Sequence, residues 1–305
     1  MLSNYWTDLR KDIVKDKWLY LFLLPSTILV LVFSYVPLYG ILIAFKKFNG
    51  LTSILDSPWV GLRNFELILH DPLIPRAFMN TVKLGVLSLI FCFPAPILLA
   101  LVFNELKQGK FKKFAQSVSY LPYFISTVII VGMMKEILGI DGVVNQLLRA
   151  FGMQAVNFMS DASSFRSIYI GSEIWQGVGW GSILYLAAIS SIPDEMYEAA
   201  TIDGANRLQQ IRHITLPSMM PVISIQFILS VGLLLSASFE KIILMYSPAT
   251  YETADILATY VFRNGLQNAN YSYGVAVGLV NSVLSFLMVF AANKVMRKMT
   301  GYSFW

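Results

Sequence analysis

This sequence predicts an all-α, polytopic membrane protein with six transmembrane helices and both termini in the cytoplasm. Three observations predict it. The 305 residues are 56% hydrophobic and 13% charged, where a soluble domain carries roughly 25% charge, and the mean hydropathy is +0.62. Six windows, 18–45, 84–103, 114–134, 174–193, 214–239 and 271–293, contain no Asp, Glu, Lys or Arg. Each holds enough residues to cross about 30 Å of hydrocarbon as a helix. Finally, Lys and Arg gather in alternate connections, as the positive-inside rule requires. With the N-terminus inside, the cytoplasmic segments carry 13 (Arg10, Lys11, Lys15, Lys17, Lys107, Lys110, Lys112, Lys113, Arg207, Arg212, Lys294, Arg297, Lys298) and the external ones 7 (Lys46, Lys47, Arg63, Arg76, Arg149, Arg166, Arg263). Lys83, Lys135 and Lys241 fall at external span ends.

The elements follow in order. Residues 1–17 form a cytoplasmic lead-in. Trp6, Leu9, Ile13 and Lys17 stand at helical spacing, which fits a surface-lying helix or a frayed tail. The first window is too long for a cleavable leader and no small-residue cleavage site follows it. Residues 18–293 make one transmembrane domain, and 294–305 a cytoplasmic tail. Stretches 46–80, 139–170 and 245–270 are external. Pro25, Pro37, Pro94, Pro96, Pro122 and Pro221 predict kinked spans. Gly177, Gly179 and Gly181, and Gly274 with Gly278, predict close helix packing. Cys92 is the single cysteine, so no internal disulfide forms, and with His70 far from His213 in sequence no metal set is expected.

The polar insert at 191–217 stands between two apolar windows. Ser191-Ile-Pro-Asp194 has the form of a helix start, with Asp194, Glu195 and Glu198 near a positive helix end. The spacing predicts one short helix over 194–203, ended by Gly204, and a second over 205–213 with Leu208 and Ile211 on one face. Such short helices are marginal alone, so a partner is expected to brace them. Small residues, Ala199, Ala200 and Ala205, suit the close approach of another protein.

The loop's motif is Glu198-Ala199-Ala200, three residues, Gly204, nine residues, then Ile214-x-Leu216-Pro217. It resembles the cytoplasmic EAA signature of the membrane subunit of binding-protein-dependent ABC importers. The likeness extends to Pro37–Phe45, Val60-Gly-Leu-Arg-Asn64-Phe65, Tyr120-Leu-Pro122-Tyr-Phe-Ile-Ser126, Trp175 with Gly179-Trp180, and Ile202-Asp203-Gly204-Ala205-Asn206-Arg207. These are similar to the oligosaccharide and polysaccharide permease branch, related to maltose permeases. That resemblance implies a type I importer permease fold in the bacterial cell membrane. It implies a second homologous permease, two ATPase subunits that hold ATP and Mg, and an extracytoplasmic solute-binding lipoprotein delivering an oligosaccharide. The implied ATPase-coupling residues are Glu198, Ala199, Ala200, Asp203, Gly204, Arg207, Ile214, Leu216 and Pro217. In that scheme Glu198 pairs with a basic residue of the ATPase and Gly204 allows the turn that inserts.

The chain lacks a phosphate-binding G-x-x-x-x-G-K-[ST] loop, an H-E-x-x-H and a nucleophile elbow. A non-catalytic subunit without a bound cofactor or nucleic-acid partner is therefore expected. A saccharide pathway needs hydrogen-bonding groups and flat apolar faces inside the spans. The candidates are Trp175, Gln176, Trp180, Tyr185, Gln226, Ser230, Asn281 and Ser285, with Ser236 and Ser238 nearby. Gln226 and Ser230, like Asn281 and Ser285, share a helical face. Interhelical hydrogen bonding is the competing role for each. Glu240 beside Lys241 reads as a satisfied outer-rim charge. The alternatives are an ABC permease for an amino acid, peptide or other small solute, and a secondary transporter. The latter calls for coupling charges deep in the spans or an inverted repeat, and neither is visible.

Overall fold

The structure, a computed structural model, describes residues 15–236 and 238–304. Trp6, Leu9 and Ile13 of the expected lead-in helix lie outside the described residues. Among the described residues the fold is helical, with a lone antiparallel bridge from Lys46 to Trp59. In chain order the elements are α1 (Lys17–Phe45), α2 (Arg63–His70), α3 (Ile74–Glu105), α4 (Lys110–Phe124), α5 (Thr127–Leu138) and α6 (Val143–Ala150). They continue with α7 (Phe165–Ser190), α8 (Asp194–Ile202), α9 (Arg207–Gly232), α10 (Phe239–Met245), α11 (Leu257–Val261) and α12 (Tyr271–Thr300).

Four of these, α1, α3, α9 and α12, are long and apolar enough to cross a membrane. A fifth crossing arises if α4 and the α5–α6 segment, bent by 100° at their junction, count together. The 26-residue α7 has the length but not the apolarity, because Gly, Ser, Trp, Gln and Glu173 dilute it. The expectation of six spans therefore rests on the bent pair and on the polar α7.

The prolines shape the helices by a common rule. A proline has no N–H and its ring crowds the carbonyl four residues back. Wide π-turns at Leu31–Tyr35, Ser88–Cys92 and Ile211–Thr215 end two residues before Pro37, Pro94 and Pro217. Widening the turn removes the clash without ending the helix. Pro122 instead sits in a tight 3₁₀ turn, Leu121–Phe124, at the sharp bend. Pro25 and Pro221 lie inside regular helix.

The core lies in three places. At the end carrying the 191–217 loop, Ile97 and Ala100 of α3 pack with Tyr185 and Ile189 of α7 and Met219 of α9. At the opposite end, Ala44, Ile68 and Ala77 pack with Leu257, Tyr260, Tyr273 and Ala276. Between α7, α10 and the 254–256 segment, Leu84, Val131, Tyr169, Ile242 and Ile256 form the third cluster. Residues 17–39 of α1 remain exposed, a surface suited to lipid or to another membrane helix.

Close approach bears out the glycine expectation in part. A Cβ at Gly179 would run into the backbone of Ser119, one at Gly181 would stand 3.0 Å from Pro96, and one at Gly274 3.0 Å from the Cα of Gly265. Gly177 and Gly278 face open space. Polar ties secure the end opposite the loop. Asn80 donates to the carbonyls of Glu252 (2.9 Å) and Asp255 (3.1 Å) and accepts from Arg166 (3.0 Å). Buried Asp255 accepts from Arg263 at 2.7 Å and from Thr259 at 2.8 Å. Fully buried Asn145 closes the 139–156 segment, donating to Gly139 (2.7 Å) and Val156 (2.8 Å) and accepting from the Val156 amide (2.8 Å). Asn145→Leu is expected to strand these groups at about 1–3 kcal/mol. The measurement is faster protease nicking between 139 and 156 in the folded protein; an unchanged cleavage rate would contradict it.

Candidate functional site

Two sites emerge, one at an end of the bundle and one within it. The first is the 191–217 loop. Its opening differs from the sequence expectation: the Ser191 hydroxyl donates back to Ala188 at 2.8 Å, so no capping box forms at 191–194, and α8 starts after Pro193 without a side-chain cap. The reciprocal box forms after α8, where Asn206 accepts from the Gln209 amide (2.9 Å) and Gln209 accepts from the Asn206 amide (2.7 Å). Between them Gly204 adopts φ +80°. The Ala205 amide reaches the Ala200 carbonyl (2.8 Å) and the Gly204 amide that of Thr201 (3.1 Å). This left-handed ending satisfies carbonyls that α8 would otherwise leave bare.

The second loop helix is not separate from the next span. It runs without interruption through the π-turn into the rest of α9, because the widened turn at Ile211–Thr215 leaves room for the Pro217 ring. The loop also braces itself. Tyr197 and Thr215 share a hydroxyl hydrogen bond of 3.0 Å, and Gln210 donates to Thr201 at 3.0 Å. The residues Ala200, Asp203, Gly204, Ala205, Gln209 and His213 line a shallow concavity of about 320 Å³.

The nine coupling candidates divide. Glu198, Ala199, Asp203, Gly204, Arg207 and Pro217 are exposed, whereas Ala200, Ile214 and Leu216 are half-buried. Leu216 packs against the α3–α7–α9 core. Arg207 lies 3.9 Å from Glu105 at the end of α3, an exposed pair worth little by itself. Leu208 and Ile211 do not form one apolar face inward, since Leu208 is 73% exposed, as is Ile202 at 87%. Two large aliphatic side chains flank the motif in the open, a feature of surfaces that meet a partner.

The second site is a cavity of about 330 Å³ midway along the bundle, inside the roughly 300–1,000 Å³ range of small-molecule sites. It exists because the span after the loop is broken. α9 stops at Gly232, Leu233–Leu235 form a turn, and α10 resumes at Phe239. Irregular backbone at membrane depth is tolerated where it is buried in protein or lines a cavity. Asn281 of α12 steadies the break by donating to the Leu235 carbonyl (3.4 Å), and α3 passes so near that a Cβ at Gly85 would strike the Leu234 carbonyl. Ser88, Cys92, Tyr169, Glu173, Ser230, Ser236 and Ser238 supply the polar lining. Tyr169 accepts from the Ser238 amide at 3.2 Å.

Behind that lining Lys241 pairs with Glu173. This corrects the outer-rim assignment of Lys241 with its neighbour Glu240. Glu240 is exposed, while α10 turns Lys241 inward until it is 1% exposed and Glu173 is 31% exposed. A buried ammonium without a counter-charge is costly, and Glu173, about two turns into α7, provides one.

The pathway candidates scatter. Ser230 lines the cavity. Gln176 donates to the Ile125 carbonyl (3.4 Å) at the bend of the third crossing, and Trp180 stacks on Tyr123 at 4.8 Å beside the same bend. Trp175 borders an apolar hollow between α5 and α7. Gln226 and Ser285 are half-buried outside the cavity lining. Tyr185 is a correction: at 4% exposure it belongs to the core with Ile97 and Met219, because its face of α7 points at α3. Glu173, Ser88, Cys92 and Tyr169 were missed. The polarity of α7, too high for a lipid-facing helix, is the signal that finds Glu173 and Tyr169; Ser88 and Cys92 lie on the apolar α3, which carries no such signal.

At the end opposite the loop, Asp71, His70, Tyr260, Asn264, Asn268, Asn270 and Tyr273 border an open cleft. Burial pushes the Asp71 carboxyl up, but the hydroxyls of Tyr260 and Tyr273 and the amides of Leu73 and Ile74 outweigh it and hold it below its ordinary value. The cluster's stability contribution is therefore present above the ordinary carboxylate pKa and fades as pH falls through the lowered one.

The family model described as binding-protein-dependent transport system inner membrane component matches residues 12–301. The polygalacturonan/rhamnogalacturonan transport system permease protein YteP of Bacillus subtilis (strain 168) is 41% identical over 287 residues, covering 94% of this chain and 89% of that protein. A chain of the crystal structure of a bacterial ABC transporter involved in the import of the acidic polysaccharide alginate superposes with a TM-score of 0.89 at 43% identity, covering 96% of this chain and 99% of that one. A second structure of the alginate transporter, in complex with an alginate pentasaccharide-bound periplasmic protein, gives 0.89 at 42%, covering 96% and 98%.

Proposed function

This chain belongs to the family of binding-protein-dependent transport system inner membrane components, and from that premise we propose that it is one of two homologous permease subunits of an importer for an acidic oligosaccharide or polysaccharide. The observation that carries the cargo is likeness along nearly the whole length. A polygalacturonan/rhamnogalacturonan permease and an alginate-importer chain each match more than nine-tenths of this chain.

Within that scheme the 191–217 loop faces the cytoplasm, as do residues 1–17 and 294–305, and the domain 18–293 crosses the membrane. ATP and Mg belong to two ATPase subunits, and this chain hydrolyses nothing. The loop is built to be gripped: two short helices set at an angle by Gly204 present Glu198 and Ala199 outward, with Ile202 and Leu208 beside them. Bracing by Tyr197–Thr215 and by the continuous helix into α9 makes it a rigid lever. Displacement of the loop then moves α9, whose far end is the broken segment that lines the cavity. A solute-binding protein loaded with cargo docks at the opposite end. Coupling of this kind requires two global states with different contacts in each.

The test is reconstitution of the whole complex with its binding protein and a screen of saccharides for stimulation of ATP hydrolysis. Stimulation by acidic oligosaccharides is the expected result. Stimulation by amino acids or peptides alone, or uptake by this chain without ATPase subunits, would overturn the reading.

A further inference from the structure

Among the described residues lining the bundle cavity, Glu173 is the charged one, and its pair with Lys241 is asymmetric. Lys241 is sealed behind the wall, and the carboxylate of Glu173 borders the open space with the hydroxyls of Ser88, Ser230, Ser236 and Ser238. The ion pair engages Glu173 Oε1. Among the described residues no neutral acceptor hydrogen-bonds the Lys241 ammonium, so the lysine depends on this carboxylate. Ionisable groups inside a membrane protein face a cavity or a partner and mark pathways. A pair serving only to tie α7 to α10 gains nothing from leaving one member at the cavity surface.

We propose that Glu173 is the hydroxyl-binding residue of the import pathway, and that Lys241 is its positioning residue. A carboxylate accepts hydrogen bonds and donates none, so it matches the hydroxyl groups of a saccharide ring. Bonds to an ionised acceptor are the strong ones. The serine hydroxyls, donors and acceptors both, complete the contacts around the ring. Lys241 makes the ensemble neutral, so cargo is not held by a net charge and leaves again. This chain's cavity thus reads the polyhydroxyl face of the glycan and not its acidity. The inference rests on the proposed saccharide import.

The test uses the complete importer in proteoliposomes, with saturating loaded binding protein so that its own recognition drops out. The probes are a short oligogalacturonide and its carboxyl-reduced, neutral counterpart. E173Q is expected to lower uptake of both by about tenfold or more, the effect of losing hydrogen bonds to a charged group, with their ratio unchanged. K241M is expected to fall likewise and K241R to retain uptake. The decisive variant is the E173Q/K241M double substitution, which removes the pair without stranding a charge. It remains defective if Glu173 reads cargo; wild-type uptake by this variant would show a structural tie and overturn the proposal. So would a loss confined to the acidic probe. A measurement that needs no variant guards against misfolding: Cys92 borders the same cavity, and its alkylation by N-ethylmaleimide, read by peptide mass, slows when cargo enters. Unchanged labelling of Cys92 during turnover would also sink the assignment. If wild-type importer takes up no saccharide at all, the proposed function fails; normal wild-type uptake with a fully active double variant removes this inference alone.

Discussion

Replacing Glu198 with lysine is expected to abolish cargo-stimulated ATP hydrolysis and uptake while the chain still inserts and folds. Glu198 is exposed on α8 and makes no ion pair among the described residues, so its removal leaves nothing unsatisfied inside this chain. Its value lies in what it meets elsewhere. Reversing a charge inside an interface turns an attraction into a like-charge juxtaposition costing several kcal/mol, about a hundredfold or more in association. Gly204→Val attacks the same handle through its shape. Open space surrounds that position, so the penalty is conformational: a β-branched residue at φ +80° is strained by on the order of 1–3 kcal/mol, and the loop reopens toward a straighter path. Co-purification of the ATPase subunits and uptake in vesicles measure both. Undiminished association with unchanged uptake in Glu198→Lys would defeat the coupling assignment.

Gly179→Leu is expected to prevent accumulation of folded protein. α7 crosses α4 at this residue so closely that an added Cβ meets the Ser119 carbonyl and the Tyr120 backbone. Backbone atoms cannot rotate aside as a flexible side chain does. The helices must separate, and with them goes the stack of Trp180 on Tyr123. Overpacking a well-filled site costs about 1–3 kcal/mol and more where backbone must move. Gly177→Ala, two residues away and facing open space, is the control and is expected to be near neutral. Yield and thermal unfolding of the detergent-solubilised protein compare the two, and equal effects would refute close packing as the reason.

These two positions also show how far local pattern reaches. The coupling loop is legible because its instructions are short-range. Gly204 ends one helix and Asn206 caps the next through bonds no more than a few residues long. Where the local pattern was ambiguous it misled: Ser191-Ile-Pro-Asp194 looks like a capping box, but the long α7 carries its hydrogen bonding through Ser191 and leaves that hydroxyl pointing backwards. Tyr185 and Trp180 look alike as pathway aromatics, and only the rotation of α7 against α3 separates a core tyrosine from a tryptophan at the bend.

The sequence by itself determined that this chain lives in a membrane, that it is helical, and that a polar hook with a left-handed glycine interrupts its later spans. Composition, span length and turn chemistry are properties of neighbouring residues, and solvent acts on them the same way in any fold. The tertiary structure alone decided that Lys241 meets Glu173, that Gly179 rather than Gly177 lets two backbones touch, and that the break after Gly232 opens a cavity. Those facts depend on how helices far apart in sequence are turned about their axes. An apolar span in lipid carries little amphipathic signal to fix that rotation, so it is settled by side-chain packing across the bundle.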